Sequence, residues 1–250
     1  SSDLLRAEKQ EDGSAVYFQH EGKERRVCAQ FILQALGRRP NSDGLDLESA
    51  GVETQQGRIN VDAKMKTNQP HIFAVGDVNG IHEVVHIAIL QGEVAGYNAV
   101  HPENEREVDD RLKSSVVFTA PAVASVGLSE KECQAGNIAY LAASHPFDDH
   151  GKSMCLGETH GHVKLLCDPV SGKVLGGHIV GPEAGELIHE LITLMHFGGT
   201  VKDLAGIPHY HPTLAEILTY PAEELSNQLS SRYPKYLEKQ NFIDLNPYSE

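Results

Sequence analysis

Thr67-Asn68-Gln69-Pro70-His71-Ile72-Phe73-Ala74-Val75-Gly76-Asp77 is the stretch on which the reading of the chain turns. Asn68, Gln69 and Pro70 favour a turn, and residues 71–75 are a short apolar run, compatible with a β-strand, that stops at Gly76-Asp77. The pattern predicts a buried strand delivering an aspartate at its carboxyl end, where a carboxylate can accept hydrogen bonds from sugar or polyol hydroxyls. A plain turn is the competing reading, because strands often close on Gly-Asp. Downstream, Val85, Ile87, Ala88, Leu90, Val94, Ala95 and Ala99 fall at mixed spacings of three and four, which predicts a helix over 85–100 packed on apolar surface. Upstream, residues 57–62 read as a further strand.

Further out on the amino-terminal side, residues 1–11 are polar and charged and read as an exposed segment. Residues 15–19 and 27–33 flank Glu21-Gly22-Lys23 in the pattern of a hairpin, which buries little alone and needs a larger sheet to lie on. Gly37, Pro40 and Asn41 then break any regular element and mark a boundary, with the basic pair Arg38-Arg39 beside Gly37. Residues 103–113, dense in charge, read as a linker or solvated face. Beyond it, residues 116–118 and 138–143 suggest strands, and Ser129 with Glu132 has the spacing of a capping box opening a short helix that Gly136 closes. Residues 163–167 and 174–180 form a second hairpin. In residues 183–197, Leu187, Ile188, Leu191, Ile192 and Met195 lie along one helical stripe. An antiparallel sheet with helices on one side, an α+β domain, is the sum.

The chain of 250 residues holds 21 Lys+Arg against 35 Asp+Glu, a formal charge of −14, and no basic cluster, which argues against nucleic acid or an anionic membrane as partner. No apolar run is long enough for a spanning helix and the first residues are not signal-like, so a cytoplasmic protein is expected. Cys28, Cys133, Cys155 and Cys167 are scattered with no Cys-x-x-Cys pair, and are expected to be reduced and mostly packed thiols. His209 with His211 and His160 with His162 invite a metal, but no further ligand at suitable spacing completes either set, and none is expected.

Pro208-His209-Tyr210-His211-Pro212-Thr213-Leu214-Ala215-Glu216 is the sharpest candidate for chemistry. Pro212 suits the first turn of a helix, which places His211 at or before its N-cap and Glu216 just over a turn further on. From there the carboxylate reaches back to one imidazole nitrogen, sets the tautomer and raises basicity, as in a general base. Taken by itself, such a short pattern is more often a capping histidine followed by an ordinary helical glutamate.

Taken together, the motifs resemble those of the pyridine nucleotide-disulfide oxidoreductases. Residues 67–77 look like their second flavin-binding signature, and residues 35–41 are similar to the end of their nicotinamide-nucleotide domain. Residues 121–130 and 178–188 resemble the start and continuation of their interface domain, and residues 209–216 its active-site close. Within the superfamily the form of that close is most similar to the dihydrolipoyl dehydrogenases. Ala120 and Ala122 stand where those enzymes often carry His and Glu, and residues 231–250 extend past the usual end.

The resemblance implies the end of an α/β nucleotide-binding domain (1–40), a returning part of the FAD-binding domain (41–112), an α+β interface domain with an antiparallel sheet (113–230) and a tail (231–250). It implies FAD and NAD as cofactors, with Gly76 and Asp77 at the ribityl chain, backbone groups of Val85 and His86 near the flavin ring, and Gly37 against the nicotinamide nucleotide. It implies that His211, oriented by Glu216, deprotonates a substrate dithiol of the dihydrolipoyl type. It implies a homodimer, for which the stripe on 183–197 is a candidate buried surface. The family also needs two Gly-rich fingerprints and a Cys-x4-Cys pair, and this sequence has neither, so the chain is expected to be the C-terminal half of a longer enzyme and inactive alone. Another disulfide reductase, glutathione- or mercuric-reductase-like, and a non-catalytic dimerisation module remain the alternatives.

Overall fold

Two-residue turns between alternating runs close hairpins when both turn residues accept positive φ. Glu21 and Gly22 do so, at φ 50° and 73°. In the computed structural model, which describes residues 2–232, they join β2 (Gly13–His20) to β3 (Lys23–Ala29), with Val16 opposite Val27. The second strand was expected to reach residue 33 and ends at Ala29. The opening segment is exposed as expected, but Ser2–Gln10 is a strand, β1, that pairs antiparallel with β2. Its backbone can pair wherever a neighbouring edge is free, whatever the polarity of its side chains, and composition therefore concealed it. Ala15 is fully buried in this three-stranded sheet, while every residue of β3 is exposed.

The middle of the chain departs most from expectation. Of residues 57–62 only β5 (Arg58–Ile59) is a strand, paired with β4 (Thr54–Gln55). Residues 71–75 do not form a strand: Phe73 makes one isolated bridge with Lys66. The reason is local. The Thr67 N–H and hydroxyl both bond the Ile72 carbonyl, closing a tight loop around Pro70, and the returning run finds only residues 65–66 to pair with. Ala74 nevertheless sits in a small core with Val52 and Ile59. A short 3-10 turn, Gly76–Val78, leads to α1 (Val85–Val100), which has the predicted bounds.

The C-terminal unit is a five-stranded, wholly antiparallel sheet of β6 (Ser114–Val117), β7 (Ala122–Gly127), β8 (Leu141–Pro146), β9 (His162–Cys167) and β10 (Val174–Gly181), in spatial order β6-β7-β10-β9-β8. Helix α2 (Glu130–Ala135) carries the predicted capping box, with the Glu132 N–H donating to Ser129 Oγ and the Ser129 N–H to Glu132 Oε2. Short α3 (Gly151–Leu156) follows β8. Three helices, α4 (Ala184–His196), α5 (Val201–Gly206) and α6 (Thr219–Arg232), complete the unit. The core residues Val126, Gly177 and Leu165 are cross-strand partners, as are Ala124, Ile179 and Val163, so they project from one face of the sheet. Leu187, Ile188, Leu191 and Met195 of α4, and Ala222, Leu225 and Leu229 of α6, close over that face. Gly177 marks how near α4 comes: a Cβ there would stand 2.4 Å from Leu191 Cδ1.

Two expectations need correction here. The α4 stripe, offered as a dimer surface, is spent in the core of its own domain, because amphipathicity does not say which apolar surface a helix meets. Strand β7 was not foreseen, since Val123 and Val126 are set among Ala, Ser and Gly with no long apolar run. The thiols divide evenly: Cys133 and Cys167 are buried, Cys28 and Cys155 exposed. Burial pushes the Cys167 thiol up to about 12, so it is inert at neutral pH. The tail expected at residues 231–250 lies almost wholly outside the described residues. Among the described residues no helix is long and apolar enough to cross a membrane.

Candidate active site

After α5 the chain runs without regular structure from Ile207 to Leu214, then makes a 3-10 turn, Ala215–Leu218, that leads into α6. Pro212 is therefore not the first residue of a helix and His211 is not its N-cap. The position before the 3-10 turn is Leu214, and the His211–Pro212 peptide bond is cis. The contact foreseen between His211 and Glu216 is present all the same. His211 Nδ1 lies 2.8 Å from Glu216 Oε1, and the Thr213 N–H donates to Oε2 at 2.7 Å.

That pairing decides the chemistry available. Glu216 is mostly buried, at 18% exposure, and the Thr213 N–H, then the His211 ring, hold its carboxyl below the usual carboxylate range. A carboxylate at Nδ1 selects the tautomer protonated there, which leaves the Nε2 lone pair free. His211 is 80% exposed, so that nitrogen faces outward and can take a proton from an external acid.

One neighbour, His150, had no sequence signal because it lies far away along the chain. His150 is buried, with Nδ1 2.8 Å from Ser153 Oγ and its ring edge-on to Tyr220 of α6. Burial pushes this imidazole below its usual range, partly offset by the charge of Glu216. His209, considered beside His211 as a metal ligand, instead turns inward to Glu190 of α4. Among the described residues no group of three His, Cys, Asp or Glu side chains could hold a metal ion.

The Gly-Asp turn is the second candidate. Gly76 has φ 72°, its N–H donates to Gln91 Oε1 at 2.7 Å, and a Cβ would stand 3.2 Å from that of Ala88, so glycine suits both the left-handed backbone and the close approach to α1. Asn79 Nδ2 ties the same turn to Gln91 Oε1 and to the Ala74 carbonyl. Asp77 opens outward, at 39% exposure, and meets Arg38 Nη2 at 2.6 Å. Through that ion pair the stretch carrying Gly37, itself exposed at φ 95°, is drawn beside the turn. Helix α1 begins without a side-chain cap, and the first ladder bond belongs to the Ala88 N–H, so the amides of Val85, His86 and Ile87 form an open, positive helix start. Val85 is 76% exposed, and His86 Nε2 reaches Ser114 Oγ at 3.0 Å. Gly76 and Asp77 thus form the turn tied to α1, on whose first turn Val85 and His86 stand, Gly37 is linked to that turn only through its neighbour Arg38, and His211 and Glu216 belong to the C-terminal unit.

Comparison with known proteins matches two family models. Residues 4–92 match the pyridine nucleotide-disulphide oxidoreductase model, and residues 113–222 the pyridine nucleotide-disulphide oxidoreductase dimerisation domain. Dihydrolipoyl dehydrogenase of Geobacillus stearothermophilus is 38% identical over 219 residues, 87% of this chain and 46% of that protein. The dihydrolipoyl dehydrogenase of Thermus scotoductus is 38% identical over 224 residues, 88% of this chain and 48% of that protein. A crystal structure of LpdA from Mycobacterium tuberculosis superposes with a TM-score of 0.79 at 28% identity, covering 90% of this chain and 48% of that one. The flavoprotein disulfide reductase RclA from Escherichia coli, at 23% identity and a TM-score of 0.74, shares the fold. The chain spans about half the length of the curated relatives it matches.

Proposed function

The chain belongs to the pyridine nucleotide-disulphide oxidoreductases, and we propose that it forms the C-terminal half of a dihydrolipoyl dehydrogenase-like enzyme, the half that carries the base and the dimer interface. The observation that carries this reading is the His211–Glu216 pair, with one imidazole nitrogen held and the other open to an incoming thiol. In the proposed reaction, His211 Nε2 takes the proton of a dihydrolipoyl thiol, and the thiolate attacks a redox disulfide, breaking its S–S bond to form a mixed disulfide with one cysteine and releasing the other as a thiolate. Glu216 keeps the ring oriented. Residues 113–222 hold the homodimer together, and the family resemblance has His211 serving the disulfide of the other subunit.

The Gly-Asp turn fits FAD. An outward carboxylate suits ribityl hydroxyls, and the uncapped start of α1 suits an electron-rich ring. Asp77, on the turn set by Gly76, would hold the ribityl chain, the Val85 and His86 amides would face the ring, and Gly37 would leave room for the nicotinamide nucleotide. FAD bound there supplies the two-electron relay between the dithiol and NAD. None of Cys28, Cys133, Cys155 and Cys167 lies five residues from another, so the redox disulfide in this reading belongs to the rest of a longer polypeptide. A cytoplasmic location, where thiols stay reduced, accords with it.

Turnover of dihydrolipoamide with NAD by the FAD-loaded holoenzyme tests the assignment. His211→Gln should lower kcat by the order of ~10²–10⁴-fold, the usual weight of a general base. A rate equal to that of the native enzyme removes His211 from the mechanism.

A further inference from the structure

The loop that presents His211 has little to hold it. Pro208, Tyr210, His211 and Pro212 are all exposed, and residues 208–212 belong to no helix or strand. Glu216 secures the loop on its carboxyl side, through the His211 ring and the Thr213 N–H. On the amino side one side chain points inward: the His209 side chain is 8% exposed. Its Nδ1 lies 2.9 Å from the Ile207 carbonyl and its Nε2 2.8 Å from Glu190 Oε1. Both partners are acceptors, and a ring N–H can donate to either of them, the tautomer deciding which. Glu190 is fixed in turn, because α4 is seated in the core by Leu187 and Leu191 on either side of it.

We propose that His209 and Glu190 are a positioning pair that sets where His211 stands, the counterpart on the amino side of what Glu216 does on the carboxyl side. The inference rests on the reading of His211 as the base. A loop held at one end pivots, whereas one held at both ends of Tyr210-His211-Pro212 has a single geometry. Misplacing a reacting group by 1 Å can cost ~10²-fold in rate, so the second anchor has a kinetic consequence and not only a structural one. Neither residue need touch the substrate.

The test reads His211 directly. In nitrogen-15 imidazole spectra of the protein, His211 should show the tautomer protonated at Nδ1. His209→Ala should average the two His211 tautomers and, in the holoenzyme, lower kcat by about 10–100-fold with KM within about 2-fold. Glu190→Gln, which keeps the acceptor oxygen, should restore the His211 spectrum and most of kcat, whereas Glu190→Ala should reproduce the His209→Ala defect. Glu190→Ala replaces a partly exposed helical residue with the best helix former, so it serves if His209→Ala does not fold. An unchanged His211 spectrum and kcat in Glu190→Ala overturns the proposal, as does a Glu190→Gln protein no better than Glu190→Ala. The two readings fail separately: native turnover by His211→Gln sinks the base assignment, while the His211 spectrum still judges the anchor.

Discussion

Both the amino-terminal sheet and the C-terminal sheet are antiparallel and built on hairpins, but they treat their faces differently. In β1–β3 the backbone is paired throughout, while Leu4, Leu5 and Val27 stay about half exposed and Ala15 alone is fully buried. In β6–β10, Leu165, Leu166, Cys167 and Ile179 are fully buried, and two long helices cover one face. Pairing and burial are thus separate requirements. A hairpin sets its own register through its turn, but its stability comes from the apolar area its face removes from water, about 25 cal/mol per Å².

The comparison can be broken by substitution. Leu191→Ala, beneath Gly177 in the covered face, should cost about 3–5 kcal/mol in urea unfolding, the range for emptying a buried leucine site. A loss below ~1 kcal/mol would mean that this core collapses around the gap and that the contrast is overstated.

A smaller effect sharpens it through pH. Lys113, then the Ser129 hydroxyl and amide, hold Glu132 at about 2, against an ordinary value of 4.5. A depressed carboxyl contributes stability that is complete above 4.5 and lost as pH falls towards 2. With the side chain nearly half exposed, solvent screening leaves ~1 kcal/mol. Urea midpoints between pH 5 and pH 2 should therefore fall less steeply in Glu132→Gln than in the native protein, and parallel curves would remove this link between Lys113, just before β6, and α2. Smallest of all, Val27→Ala on the open sheet should change stability by no more than ~0.5 kcal/mol, and a loss like that of Leu191→Ala would show the sheet's face to be covered.

Elements whose signal is local were legible. Helix α1 follows from its periodicity, α2 from Ser129 and Glu132, and the β9–β10 hairpin from two apolar runs around Asp168-Pro169 and Gly172. The strand expected at 71–75 failed because an apolar run forms a strand only where another edge waits, and here the edge is two residues long. The helix expected from Pro212 failed for a related reason: a proline suited to a first helical turn also suits an irregular loop, and the turn at 215–218 starts three residues later.

The sequence by itself determined the family motifs in their order, and the meeting of His211 and Glu216, because five residues of chain keep the two within reach under either local conformation. Only the tertiary structure decided that the α4 stripe faces its own sheet, that Arg38 meets Asp77, and that His209 turns to Glu190. Those partners are separated by long stretches of chain, and packing of the whole core, not local propensity, brings them together.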